Sequence, residues 1–285
     1  MKTNKNKLVM HSLLGNIHHP TEKGYRVGYD GIGRILPSVG GITYNFQIGD
    51  NCMGLVGDHI EPGVSIKNPN SGENPALQLF SCVGNTVKIT SGDAKGRLGV
   101  ITGTHGGIDH AFVYFDQEIL ELLSGDEKML VKGYGQGLEL SDYPNIKVMN
   151  LDPSLLDTMH LKEENNKLHI GVTHIIPACL MGSGLGSATM ASGDYDIMTQ
   201  DEAMNKQYNL DTLRFGDIVA IEDHNSFNGP HYAKGCYTVG VIVHSDSYTS
   251  GHGPGVCVLF TSKDDSLIPY IEKDANLINY INISK

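Results

Sequence analysis

The chain has 285 residues, enough to bury a large core in one domain or in two closely packed ones. With histidine neutral its net charge is −11, from 32 Asp and Glu against 21 Lys and Arg. That balance argues against nucleic-acid and anionic-membrane partners, both of which need a basic face. It suits a soluble cytoplasmic protein with a cation as a ligand.

Gly is 35 of 285 and Trp is absent, which implies many tight turns between short strands. The five cysteines (Cys52, Cys82, Cys179, Cys236, Cys257) are scattered and never in CxxC spacing, so neither a disulfide framework nor a thiolate zinc site is expected. Cys257, which follows a histidine-bearing loop, is the one to watch as a nucleophile. The first residues, MKTNKNKLVMHSLLG, start basic, but His11 breaks a short apolar run and no cleavage site follows. No signal peptide is expected, and no run approaches the roughly 20 apolar residues of a spanning helix.

In chain order, residues 1–50 read as loops and short strands. Gly28, Gly31 and Gly33 form a loose nucleotide-binding pattern, which is discounted because no clear strand precedes them and Pro37 blocks the helix that should follow. In CMGLVGDHIEPGVSI (52–66) an apolar strand runs into Asp58, His59 and Glu61; in an extended segment His59 and Glu61 share a face. They are either ligands at a strand end or part of a solvated turn. Strands are expected at 87–90, 99–102 and 111–115, with a turn at 92–96. This stretch resembles the KOW motif on Gly92, Lys95, Gly96, Gly99 and Val100. The resemblance implies a small SH3-like barrel; the RNA contact it would also imply lacks the necessary basic flank. His105 and His110, five apart around Gly106-Gly107, can converge on one point if the chain doubles back.

Further on, DQEILELL (116–123) and DPSLLDTMH (152–160) have helical character, the second capped by Asp152 with Pro153 in its first turn. Strand KLHIGVTHIIP (167–177) places His169 and His174 on opposite faces. The glycine-rich ACLMGSGLGS (178–187) could offer backbone N–H groups to an anion. Asp194, Asp196, Asp201 and Glu202 form an acidic stretch opening a helix near 200–208, read as a solvated face with a cation site as the alternative. A buried strand then delivers Asp223 and His224, and GCYTVGVIV (235–243) is a central strand ending at His244-Ser245-Asp246. His244 and Asp246 share a face by the period of two. His252 follows in a glycine loop, 256–260 returns as a strand, and the tail from Asp264 reads as a helix plus a polar end.

Several segments together resemble a bacterial and archaeal family of proteins known as domain-of-unknown-function family 4438. They are GDHIEPGVS (57–65), SGDAKGRLGVITGTHGGI (91–108), MGSGLGS (181–187), FGDIVAI (215–221) and HSDSYTSGHGPG (244–255). The resemblance spans nearly the whole chain and implies one fold for these segments, with no particular reaction attached. The phrase FGDIVAIED is also similar to acetamidases and formamidases, β-rich amide hydrolases.

The expected fold is mostly β (α+β), with short-stranded sheets or barrel-like halves, a small SH3-like barrel and a few short helices. An N-terminal lobe over 1–125 and a C-terminal lobe over 126–285 are expected, with the pocket at their junction. Neutral imidazole with carboxylate suits a divalent transition metal such as Zn, Mn or Fe. The metal-ligand candidates are His59, His105, His110, His224, His244 and His252. Glu61, Asp223 and Asp246 are candidates for proton transfer or orientation. No HExxH or HxH spacing is present. These residues together suggest a metal-assisted hydrolase of a small amide or cyclic amide. Two other uses of the same residues stand beside it. One is a metal-free route with Cys257 or Ser245 as nucleophile beside His244 or His252. The other is a non-catalytic small-ligand or metal-binding structural protein. Exposed glycine-rich strands with few charges suggest a homo-oligomer.

Overall fold

Two β units, each with its own apolar core, meet along a seam. They are seen in a computed structural model that describes residues 1–21 and 24–281. In the first unit, strands His11–Ile17, Lys128–Gly133, Thr86–Ile89, Leu98–His105, His110–Tyr114 and Gly63–Lys67 are neighbours in that order, all antiparallel. The last pairs back with the first (Asn16 with Lys67, Ile17 with Ile66), closing a six-stranded barrel. Closure removes the free sheet edges that would otherwise invite aggregation. Alternation fills the interior: Val87 and Ile89 of TVKI are buried while Thr86 and Lys88 face out. Leu77, from the helix Asn74–Phe80, packs into the same core. The KOW-like stretch forms three of the barrel strands, close to the expected bounds.

The second unit is a mixed sheet, Ile146–Val148, Gly255–Ser262, His231–His244, Ile218–Asn225 and His174–Pro177 in order, with the short strand Tyr195–Asp196 also on Gly255–Ser262. Gly255–Ser262 is buried at every residue, as the apolar run Val256–Phe260 requires of a central strand. A three-stranded sheet of Leu161–Glu164, Lys167–Val172 and Leu267–Ile271 flanks it.

The helices are short. Asp152 caps Pro153–Leu156 by accepting from the Ser154 N–H, and Asp201 caps Glu202–Tyr208 by accepting from Ala203 and Met204. The tail departs from expectation: after Asp264 the chain forms the strand Leu267–Ile271, drawn in by parallel pairing with 168–172, and only then the short helix Leu277–Tyr280. The polar end at 282–285 lies outside the described residues. No helix among the described residues is long and apolar enough to cross a membrane.

The seam sets up the site. Gly103 of the barrel lies against Val243 of the sheet so closely that a Cβ on it would fall 2.2 Å from Val243 Cγ1. Two residues further along the barrel strand comes His105, and one further along the sheet strand comes His244. Their ring centroids are 4.4 Å apart.

Candidate metal centre

Four imidazoles converge at this seam. The His59 ring centroid lies 5.9 Å from that of His105, 5.0 Å from that of His244 and 5.0 Å from that of His252. Four different backbone elements deliver them. His59 sits on a loop stitched to the segment after His244: Ile60 N–H donates to Ser245 Oγ, Ser245 N–H to Ile60 O, and His59 N–H to Asp246 O. Its φ of 54° is left-handed, so the extended geometry expected for 59–61 does not hold. His59 turns toward His252 while Glu61 lies behind His105. His105 ends a barrel strand, His244 ends a sheet strand, and His252 lies in the returning loop, its carbonyl accepting from the Gln200 amide.

Two carboxylates complete the cluster. Gly255 is paired in register with Asp196 on one side and His244 on the other, so the three lie in a row across adjacent strands. The middle position has no side chain, and the Asp194 carboxylate enters that space. A Cβ on Gly255 would lie 2.0 Å from Asp194 Oδ2 and 2.3 Å from His244 Nε2. Asp194 is held there by Gly106 N–H, which donates to its Oδ1 at 2.8 Å. Two triads result, His59–Asp196–His252 and His105–Asp194–His244, each with donor atoms within 4.8 Å of one another.

The partners of these residues fix which atom of each ring faces the centre. Glu61 is 1 % exposed and accepts from His105 Nδ1 at 2.6 Å, leaving Nε2 of that ring for an ion. His244 Nδ1 donates to the Ser245 carbonyl at 2.9 Å, which points Nε2 inward. Asp58 Oδ2 lies 3.2 Å from His59 Nδ1, and the opposite nitrogen faces His252. A carboxylate or carbonyl behind an imidazole that turns its other nitrogen inward is the usual support of a metal-bound histidine. His244 Nε2 and Asp194 Oδ2 are both buried and face each other at 2.8 Å, yet neither has a hydrogen-bond partner in line with it. With the Nε2 proton displaced, two buried lone pairs facing each other in this way fit a cation between them.

The electrostatics agree. Burial alone would raise the Asp196 pKa, but the His244, His252 and His59 imidazoles hold it well below the usual carboxylate range. Burial disfavours a charged His244, yet Asp194 and Asp196 hold its pKa well above the usual imidazole value. Asp58 is opposed by burial but kept low by His59 and Ser247. The centre demands positive charge.

Four of the expected ligands, His59, His105, His244 and His252, come together; His110 and His224 do not join them. His110 Nδ1 donates to Glu61 Oε2 at 2.8 Å and its Nε2 pairs with His18 Nδ1 at 2.7 Å, so both nitrogens are taken. His224 stacks on Tyr195 and contacts Thr238 inside the sheet, and burial lowers its pKa to about 4. The three expected carboxylates differ too. Glu61 orients His105 and His110 rather than facing the cavity. Asp223, at φ 55° beside a β-bulge, is turned away to accept from Gly235 N–H. Asp246 lies behind His59, accepts from Gly54 N–H, and is raised to about 6 by burial and then by Asp58. Asp194 and Asp196, read from sequence as a solvated helix entry, are instead nearly fully buried in the centre. The signal that could have found them is the i, i+2 spacing around Tyr195, which is itself fully buried. Cys257 is buried and its thiol is pushed up to about 12 by burial, so no thiolate is available at neutral pH. Ser245 is also buried, with its hydroxyl spent on Ile60 N–H and the Asp246 carbonyl.

A cavity of about 390 Å³ opens onto the centre, lined by His59, His105, Asp194, Asp196 and His252, with Arg26 among the residues of its wall. Gly107, Ser183 and Gly184 also line it. At 32 % side-chain exposure, His252 is the most open of the four imidazoles.

Comparison with known proteins found no match among curated proteins. The solved crystal structure of TM1086 is similar to this chain at 43 % identity, covering 99 % of each chain with a TM-score of 0.95. The family model described as domain of unknown function DUF4438, N-terminal, matches residues 25–157, and its C-terminal companion matches residues 158–281. Between them the two models take in nearly every element described above, and the chain belongs to the DUF4438 family.

Proposed function

We propose that this protein is a metal-assisted hydrolase acting on a small amide or cyclic amide at the seam between barrel and sheet. The observation that carries the reading is the buried pair of His244 Nε2 and Asp194 Oδ2, 2.8 Å apart with no hydrogen bond in line between them and flanked by His105. A divalent ion held there supplies Lewis acidity toward a carbonyl oxygen and acidifies water to a pKa of about 7. The ligand set of nitrogen and carboxylate oxygen suits Zn, Mn or Fe.

The chain's own residues do the rest. Glu61 holds His105 in one tautomer, and its remaining oxygen is saturated by His110, Ser65 and Gly40 N–H, so it positions and does not exchange protons with substrate. The volume of the cavity suits a small molecule. Gly107 and Gly184 let backbone approach a bound amide without an intervening side chain. Asp58 lines the same cavity, with Oδ1 held by Ser247 and the backbone N–H of Tyr248, and its Oδ2 is the carboxylate oxygen nearest His59. Amides as the substrate class draw support from the likeness of FGDIVAIED to amide hydrolases.

The test is elemental analysis of freshly purified protein, followed by a screen against small linear and cyclic amides with and without added Zn, Mn or Fe. Stoichiometric metal, and His105→Ala or His252→Ala lowering metal content and turnover together, is the expected result. Protein without transition metal, or with metal but inert toward every amide, counts against the reading; the metal-bearing, inert result favours a structural metal-binding protein.

A further inference from the structure

We infer that the two triads form one dinuclear centre, with Asp196 bridging the two ions. This rests on the metal reading above and extends it from one ion to two. The argument starts from spacing. Two ligands at about 2.0–2.1 Å from a common ion in tetrahedral arrangement are roughly 3.3 Å from each other. In the first triad His252 Nδ1 lies 2.9 Å from Asp196 Oδ2 and 3.1 Å from His59 Nε2, and His59 Nε2 lies 3.6 Å from Asp196 Oδ2. Those three distances bracket the value, so one ion sits against all three atoms after shifts of a few tenths of an ångström.

The second triad has its own anchor in the His244 Nε2–Asp194 Oδ2 pair at 2.8 Å. Asp196 belongs to both. Its Oδ2 faces His252 and His59, while its Oδ1 lies 3.6 Å from His244 Nε2, again at ligand spacing. A carboxylate with one oxygen toward each of two ligand sets is the arrangement of a bridging ligand, and in two-metal sites the ions are about 3.5–4 Å apart. Position in the fold explains why Asp196 can do this. It is paired with Gly255, which is paired with His244, and the missing Cβ of Gly255 leaves the space between them to the Asp194 carboxylate alone.

Charge points the same way. Four carboxylates, Asp58, Glu61, Asp194 and Asp196, touch the four imidazoles. With neutral rings these carry a charge of −4, which two divalent ions balance; a single ion leaves half of it to protons on the imidazoles, and a protonated ring nitrogen cannot ligate. Burying uncompensated charge is costly, and all four carboxylates are mostly buried.

The test uses the full chain, stripped with chelator and reloaded with Mn(II) alone. Bound ion is counted by elemental analysis after desalting, and ion–ion coupling is read by electron paramagnetic resonance. Two Mn(II) per chain with an exchange-coupled spectrum is the expected result. His252→Gln, which removes a ligand from one triad only, is expected to halve the count and give the uncoupled spectrum of an isolated ion. One ion per wild-type chain overturns the dinuclear assignment and leaves the hydrolase reading standing. Two ions with an uncoupled spectrum overturn the Asp196 bridge. No ion overturns both the centre and the hydrolase reading. Two coupled ions in a protein inert toward amides support the centre and count against the hydrolase alone. The wild-type measurements decide the matter even if the variant fails to fold.

Discussion

Gly255→Ala adds one methyl group at the middle of the Asp196–Gly255–His244 row. The new Cβ lies 2.0 Å from Asp194 Oδ2 and 2.3 Å from His244 Nε2, where ordinary contact begins near 3.4 Å. Restoring that contact by moving the neighbours alone displaces the oxygen by about 1.4 Å and the nitrogen by about 1.1 Å, several times the roughly 0.2 Å tolerance of a metal–ligand distance. Neither neighbour has room to swing aside: the His244 side chain is fully buried and that of Asp194 is 4 % exposed. The backbone is not the obstacle, because Gly255 is not at positive φ and its conformation is open to alanine. The expected cost is therefore that of overpacking, about 1–3 kcal/mol in the metal-free protein. In addition, the ion at the His105–Asp194–His244 triad is lost. Thermal unfolding with and without chelator measures the first, and elemental analysis the second. A variant that keeps full metal content and the parental Tm in chelator would refute the packing argument outright.

Glu61→Gln keeps the shape of the side chain but weakens the acceptor behind His105; affinity at that triad is expected to drop about 10–100-fold in a chelator competition titration, with the other triad little changed. His224 gives a pH dependence. Its folded pKa of about 4 lies below the unfolded value near 6.5, so the fold favours the neutral ring. Its contribution to stability is intact above pH 6.5 and is lost as pH falls toward 4, by about 3 kcal/mol. Denaturant unfolding of metal-free protein across that range should show this loss in the parent and its absence in His224→Gln. Asp223→Asn retains a residue tolerant of left-handed backbone and lies outside the cluster; metal content and loading are expected to match the parent in the same titrations.

Much of the barrel was legible because its strands carry the period of two cleanly, as in TVKI with alternate residues buried. Four of the six proposed ligands were legible as imidazoles at strand ends or in glycine-bearing loops. The acidic pair was not, because Asp194 and Asp196 precede a well-capped helix and carboxylates there ordinarily face water. Only the register of Tyr195–Asp196 on Gly255–Ser262 brings them inside. Asp223 and His224 misled for the opposite reason. Their density in sequence is high, but the bulge between Glu222 and His224 changes the side-chain alternation. The positive φ at His59 was equally hidden, since a β-turn and an extended strand exit read alike in GDHIEPG.

Each triad draws one imidazole from the barrel unit, His59 or His105, and the other two ligands from the sheet unit. Expressed alone, either half would present an incomplete set and hold no ion in this geometry. Withdrawing the ions would leave four carboxylates at the plane where the halves touch, balanced only by the protons the imidazoles take up. On the dinuclear proposal an ion in each triad would work as a rivet, fastening two separately cored bodies, and demetallation should loosen their junction before it melts either one.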